Sequence, residues 1–220
     1  MKRLACLVSA VALLSAGAAS AADLYNGSLK DGGILGTPGN PSLHGFYGEI
    51  GVGYGFSQAK IGLPDSSGGD LAATGAFFNA RAGYDKLLSG RVGAGVYVQG
   101  SNAFDVTGSA GSGSDLVAFG NQWGYGAGAK LFYDYGTGQA YVLLGYEGQD
   151  VTLTGTGTHH TDGFLWGGGI SVKMTQNTYI GLEAVQIERG SVSGTATGIG
   201  SWSLGGVDDR VSLRFGVSAN

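Results

Sequence analysis

Apolar and polar residues alternate with a period of two along most of this chain, the pattern of β-strands that present two unlike faces. Phe46, Ile50, Val52, Tyr54 and Phe56 share one face of the first predicted strand, and Tyr47, Glu49, Gly51, Gly53, Gly55 and Ser57 the other. The alternation recurs over 76–84, 92–98, 119–133, 140–146, 164–174, 180–184 and 211–217, always with one apolar face and one of glycine, polar or charged residues. Long Gly/Ser/Thr-rich connectors near 59–72, 102–116, 152–162 and 189–207 alternate with short turns near 86–90, 135–138 and 175–177. Seven connectors join eight strands, an even number that lets a sheet close with both ends on one side. Long loops at one end and tight turns at the other are the asymmetry of a membrane barrel. The pattern therefore predicts an all-β fold, an eight-stranded antiparallel up-and-down transmembrane β-barrel.

Alternation alone does not say which face points outward. In a soluble sandwich or a lipocalin-like barrel the apolar face would point in, and Glu49, Arg81 and Lys130 would be solvated. Two features favour the inverted arrangement. Aromatic residues of the apolar face gather near strand ends: Phe46, Tyr84, Tyr133 and Phe215 toward one rim, and Tyr54, Phe56, Phe78, Trp123, Tyr146 and Trp166 toward the other. Paired girdles of this kind suit the two interfaces of a bilayer. Glycines crowd the polar face, as in Gly51/Gly53/Gly55 and Gly124/Gly126/Gly128. Small residues fit a narrow lumen, whereas a solvated sheet surface gains nothing by losing side chains there.

The N-terminus has the layout of a secretory signal peptide over residues 1–21. Lys2 and Arg3 precede an apolar stretch from Leu4 to Leu14, and Ala19-Ser20-Ala21 supplies a small-residue cleavage pattern. The apolar stretch is shorter than the roughly 20 residues a spanning helix needs. Cys6, the single cysteine, lies within it, so the mature chain is expected to carry no thiol, disulfide or acylated cysteine. Residues 22–42 contain Pro38, Pro41 and several glycines and read as a flexible periplasmic lead-in. Residues 43–220 form the predicted barrel. Without Lys2 and Arg3, 10 basic residues face 16 acidic ones, a net charge of −6 that argues against nucleic acid as a partner. Glycine is 45 of 220 residues, roughly three times the usual share, without the triplet period of collagen.

The stretch GFYGEIGVGYGFS from Gly45 to Ser57 resembles the opening strand of small outer-membrane barrels of the opacity/porin-like family common in alphaproteobacteria. YEGQDV, from Tyr146, and DGFLWGGGISVKMTQNTYIGLEAVQIERG, from Asp162, are similar to that family's fifth to seventh strands. The resemblance covers about Leu43 to Phe215 as a pattern more than as invariant letters. It implies a monomeric eight-stranded barrel in the bacterial outer membrane, with structural or surface roles and, in some members, binding of ligands such as haem. Members usually end on an aromatic residue that belongs to the assembly signal. Here Phe215 is followed by Gly-Val-Ser-Ala-Asn.

The polar face carries Glu49, Arg81, Arg91, Lys130, Glu147, Lys173, Glu183 and Arg214. An eight-stranded barrel has room only for side chains or one small ligand, so charges confined in it must pair. Glu49, Glu183 and Arg214 are expected to interact, because the eighth strand lies between the first and seventh, with Arg81 joining from the second. Such a network serves either as a plug of ion pairs or as a gate. His159 and His160, with Asp150 and Asp162 nearby, and Trp202 in the last connector are candidates for a loop ligand site. Neighbouring residues on an extended chain point apart, however, so no metal site and no cofactor is expected. A lipid A-modifying enzyme would need a Ser–His pair oriented by an acid. His44 is at the predicted periplasmic end, and no His-x-Ser arrangement follows His159 or His160. The glycine runs GVGYGF and GYGAGAK lie at period two on strands and lack the helix and Gly-Lys-Ser/Thr of a phosphate loop. The sequence thus points to a non-catalytic, monomeric barrel. Its expected partners are outer-membrane lipid, lipopolysaccharide and the barrel-assembly machinery. Ligand capture by the loops and a narrow solute channel are the alternatives.

Overall fold

The computed structural model describes residues 43–63, 66–110, 122–153, 157–196 and 200–219. The expected signal peptide and lead-in, Cys6 and Phe119 lie outside the described residues. Eight strands follow in chain order: β1 Gly45–Leu63, β2 Ser66–Ser89, β3 Val92–Ala110, β4 Gln122–Asp134, β5 Gly138–Leu153, β6 Gly157–Lys173, β7 Thr178–Ala196 and β8 Gly200–Ala219. Each pairs antiparallel with the next, and β8 returns to pair with β1, so the sheet is a closed barrel.

Register fixes how the barrel closes. Stepping from Phe46 through the cross-strand partners Tyr84, Val96, Ala129, Leu144, Trp166, Gln186 and Asp209 returns to β1 at Phe56, ten residues farther along. A stagger of this size tilts the strands by roughly 35–45° from the barrel axis. It also sets the heights at which side chains from different strands meet.

Three tight turns close the lower end. The first, at Gly90, needs a positive φ of 56°. The second has Gly136 at φ 94°, where its amide donates to Asp134 Oδ1 at 2.7 Å. Both are backbone conformations open to glycine. At the upper end the strands run further than the sequence reading allows. β1 and β2 stay paired from Gln58↔Ala72 to Leu63↔Ser66, and β7 and β8 from Val192↔Leu204 to Ala196↔Gly200. Most of the predicted connectors at 59–72, 152–162 and 189–207 are therefore ladder, because Gly, Ser and Thr still supply backbone hydrogen bonds to a neighbouring strand. At the C-terminus, Gly216 to Ala219 belong to β8.

The apolar face points outward. Phe46 is 70% exposed, Val52 56%, Val98 60%, Leu131 54% and Val211 58%. The lower aromatic ring contains Phe46, Tyr84, Tyr133 and Phe215; the upper one contains Tyr54, Phe56, Phe78, Trp123, Tyr146 and Trp166, joined by Phe104, Tyr125 and Phe164.

Inside, bulky rings are matched to glycines. Six inward aromatics each face a glycine as direct cross-strand partner: Tyr47 and Gly83, Phe77 and Gly53, Tyr97 and Gly128, Phe132 and Gly93, Tyr141 and Gly169, Tyr179 and Gly216. A Cβ on Gly169 would sit 2.6 Å from the Tyr141 hydroxyl, and one on Gly83 2.6 Å from Tyr47 Cζ. At Gly216 the three nearest atoms all belong to the Tyr179 side chain. The glycine surplus is thus the floor on which the lumen's rings lie.

Candidate functional site

The lumen holds three stacked tiers of charge, each balanced within itself. The middle tier draws on β1, β2, β7 and β8. Arg81 Nη1 lies 2.6 Å from Glu183 Oε2 and 3.0 Å from Glu49 Oε1, while its Nη2 donates to Glu183 Oε1 at 2.9 Å. Arg214 Nη1 donates to Glu183 Oε1 at 2.7 Å. Arg214 Nη2 comes within 2.8 Å of Glu49 Oε1 without the alignment of a hydrogen bond, so that contact is electrostatic. Tyr141 donates to Glu183 Oε2 and Tyr179 to Glu49 Oε2, each at 3.1 Å. Arg81 also lies over the Tyr97 ring, 4.5 Å from its centroid. No more than 6% of any of the four charged side chains is exposed.

Below it, Lys130 Nζ meets Asp85 Oδ2 at 2.5 Å and sits 4.5 Å from the centre of the Tyr47 ring and 5.3 Å from that of Tyr141. Above it, Glu147 Oε1 receives Arg189 at 3.0 Å and Arg210 at 2.9 Å. Arg189 Nε donates to Asp208 Oδ2 at 2.8 Å. Gln99 links the two upper tiers, accepting from Arg81 Nη2 at 2.9 Å and donating to Glu147 Oε2 at 2.8 Å. Five cations and five carboxylates thus neutralise one another, each side chain no more than 12% exposed.

Lys173 is half-buried at the lower rim, where it donates to the carbonyl of Gly136 at 3.0 Å. The sequence reading places Arg91 on the inward face, whereas the structure puts it in the first lower turn, exposed, because β3 begins only at Val92. Arg189, Arg210 and Asp208 were missed as lumen residues, since they fall inside the connector predicted over 189–207 and its edge. Continuing the inward parity from Glu183 through Val185 and Ile187 reaches Arg189, and from Ser212 backward reaches Arg210 and Asp208.

A second cluster lies on the outer wall, just above the upper aromatic ring. His160 is the cross-strand partner of Asp150. Its Nδ1 lies 2.7 Å from Asp150 Oδ1 and its Nε2 2.9 Å from Asp162 Oδ1. The ring stacks on Tyr125, centroids 5.7 Å apart and planes 20° apart, and Nε2 is 3.4 Å from the Tyr125 hydroxyl. The hydrogen bond to Asp150 and the charge of Asp162 raise the histidine's pKa above its ordinary value. His159 is half-buried on the opposite side of the strand, as the alternation requires. The side chain of Trp202 lies outside the described residues. Among the described residues, no group of three or more His, Cys, Asp or Glu side chains is arranged to hold a metal ion.

No protein-family model and no curated protein matches this chain. Among solved structures it is similar to Neisserial surface protein A (17% identity, 79% of this chain and 97% of that one, TM-score 0.47). It is also similar to outer membrane protein OprG of Pseudomonas aeruginosa (11%, 81% and 99%, TM-score 0.48). A third is the attachment invasion locus protein Ail of Yersinia pestis (14%, 78% and 99%, TM-score 0.35). Likeness at this level bears on neither activity nor partner.

Proposed function

We propose that this chain is an integral protein of a bacterial outer membrane, non-catalytic, with a sealed lumen, that contributes to envelope structure and displays its upper hairpins at the surface. The observation that carries this reading is the inversion of the barrel: a belt of exposed aliphatic side chains between two aromatic rings, around an interior of mutually neutralised charges. In water such an exterior would drive aggregation. In hydrocarbon it is the favourable surface, and closure leaves no backbone group of the belt unpaired. The chain is exported by its cleaved leader, inserted by the barrel-assembly machinery as a monomer, and solvated by lipid and lipopolysaccharide. Kinship with opacity/porin-like barrels rests on the Gly45–Ser57 and Asp162–Gly190 patterns.

The sealed lumen favours a scaffold over a channel, since an ion would have to break contacts in all three tiers to pass. Two measurements test this. Electrophoresis of the outer-membrane fraction with and without boiling should show a faster unheated band, and the purified barrel in planar bilayers should show no conductance steps. A soluble periplasmic protein without the mobility shift would overturn the membrane reading. Discrete conductance from the wild type would overturn the seal and make it a narrow channel.

A further inference from the structure

The outer-wall cluster has no part in sealing the lumen, yet it is built. Gly148 forms its floor: a Cβ there would come 2.9 Å from His160 Cε1 and Nε2, so the imidazole can lie flat on β5 only because that position is glycine. Tyr125 of β4 stacks on the ring. Both ring nitrogens face a carboxylate oxygen within hydrogen-bond distance. A neutral imidazole carries a single N–H and would turn a lone pair toward one of those carboxylates; only imidazolium donates to both.

We propose that His160 is a proton-operated clasp. Protonated, it fastens the outer ends of β5 and β6 to each other and to β4; on losing its proton it leaves Asp150 and Asp162 to repel across it, and the β5–β6 hairpin loosens.

The surroundings have the right signs. From β4 comes the Tyr125 hydroxyl, and from β5 Asp150 and Tyr146, the latter hydrogen-bonded to Asp162. β6 itself supplies Asp162 and, on its opposite side, His159. β7 pairs with β6 from Gly163 onward and brings Glu188 opposite Phe164. The carboxylates favour the charged ring and disfavour its loss of a proton. With 41% of the histidine side chain and 52% and 50% of the two aspartates exposed, protons exchange freely with solvent. Because the folded pKa is raised, the clasp is complete below the ordinary histidine value of about 6.5 and is lost as pH rises through the raised one.

The test is an NMR titration of the full barrel in nanodiscs, following imidazole carbon shifts and amide protection factors, which remove the intrinsic pH dependence of exchange. The His160 ring is expected to titrate above the ordinary value, and Asp150→Asn and Asp162→Asn should each lower that pKa. Protection of amides 148–151 and 158–162 should fall as pH passes through it, and His160→Gln should abolish that step. A His160 ring that titrates at or below the ordinary value would overturn the clasp. So would the same protection step in the His160→Gln barrel. Gel mobility before and after boiling establishes that each variant is folded, and the two asparagine variants carry the test if the glutamine one is not.

Discussion

The middle tier of the lumen and the His160 cluster on the outer wall use the same device, a cation held between two carboxylates. The contacts are equally short, 2.6–3.0 Å inside and 2.7–2.9 Å outside. Solvent separates them. Arg81, Arg214, Glu49 and Glu183 are shut away from water, while about half of each outer side chain is exposed. Charges brought into a low dielectric cannot be left single, so the inner tier is an obligate structure. Outside, water screens each charge, and the same geometry becomes adjustable by a proton.

That contrast can be broken most sharply at Arg214. Truncating it to Ala leaves Glu183 and Glu49 to share Arg81 alone, one buried negative charge in excess, and is expected to cost about 3–5 kcal/mol in urea unfolding of the barrel in lipid vesicles. A loss below about 1 kcal/mol would mean that the tier is solvated like an ordinary surface pair. Removing Glu183 as well should recover part of the loss, with a coupling of about 0.5–3 kcal/mol in the double-mutant cycle. Strict additivity would show that the two side chains act apart. Gly216→Ala, which pushes the Tyr179 ring off its seat and away from Glu49, should cost about 1–3 kcal/mol in the same assay. The smallest effect belongs to the outer wall. At neutral pH Asp150→Asn should change stability by no more than about 0.5 kcal/mol. Its mark is the pH profile: wild type loses a small stabilisation as pH rises through the raised pKa of His160, and the variant's profile is flatter. An unchanged profile would place the pH sensitivity elsewhere.

The strands, their number and the sidedness of the barrel were legible because a period of two survives every substitution that keeps a face apolar. Glu49, Glu183 and Arg214 share a neighbourhood for a reason of strand order alone, since β8 must lie between β1 and β7 when the sheet closes. The upper tier was hidden by composition. Gly/Ser/Thr-rich sequence signals a loop, yet nothing in it prevents pairing, and the ladder carries Arg189 and Arg210 inward beyond the apparent strand ends. The His160 cluster was half visible. His160, Asp150 and Asp162 stood out as residues, but the partnership of Asp150 with His160 depends on a hairpin register that the repetitive sequence around 152–158 does not specify. Gly148, which makes room for the ring, looks in the sequence like any other glycine.

The rings seated on glycines have a consequence for how the barrel is made. A slip of one residue in strand pairing is caught at once, because it turns the apolar face inward. A slip of two keeps every face correct and would pass unnoticed on hydrophobicity alone. On the outer strands near the closing seam it does not pass: two residues either way, Tyr47 meets Arg81 or Asp85 instead of Gly83, and Tyr179 meets Arg214 or Ser218 instead of Gly216. Where glycines come in runs, as at Gly126 and Gly128 opposite Tyr97, the same error finds a second vacant seat. The isolated glycines therefore act as keys, and the chain proofreads the alignment of its first and last hairpins, β1–β2 and β7–β8, which flank the closing seam.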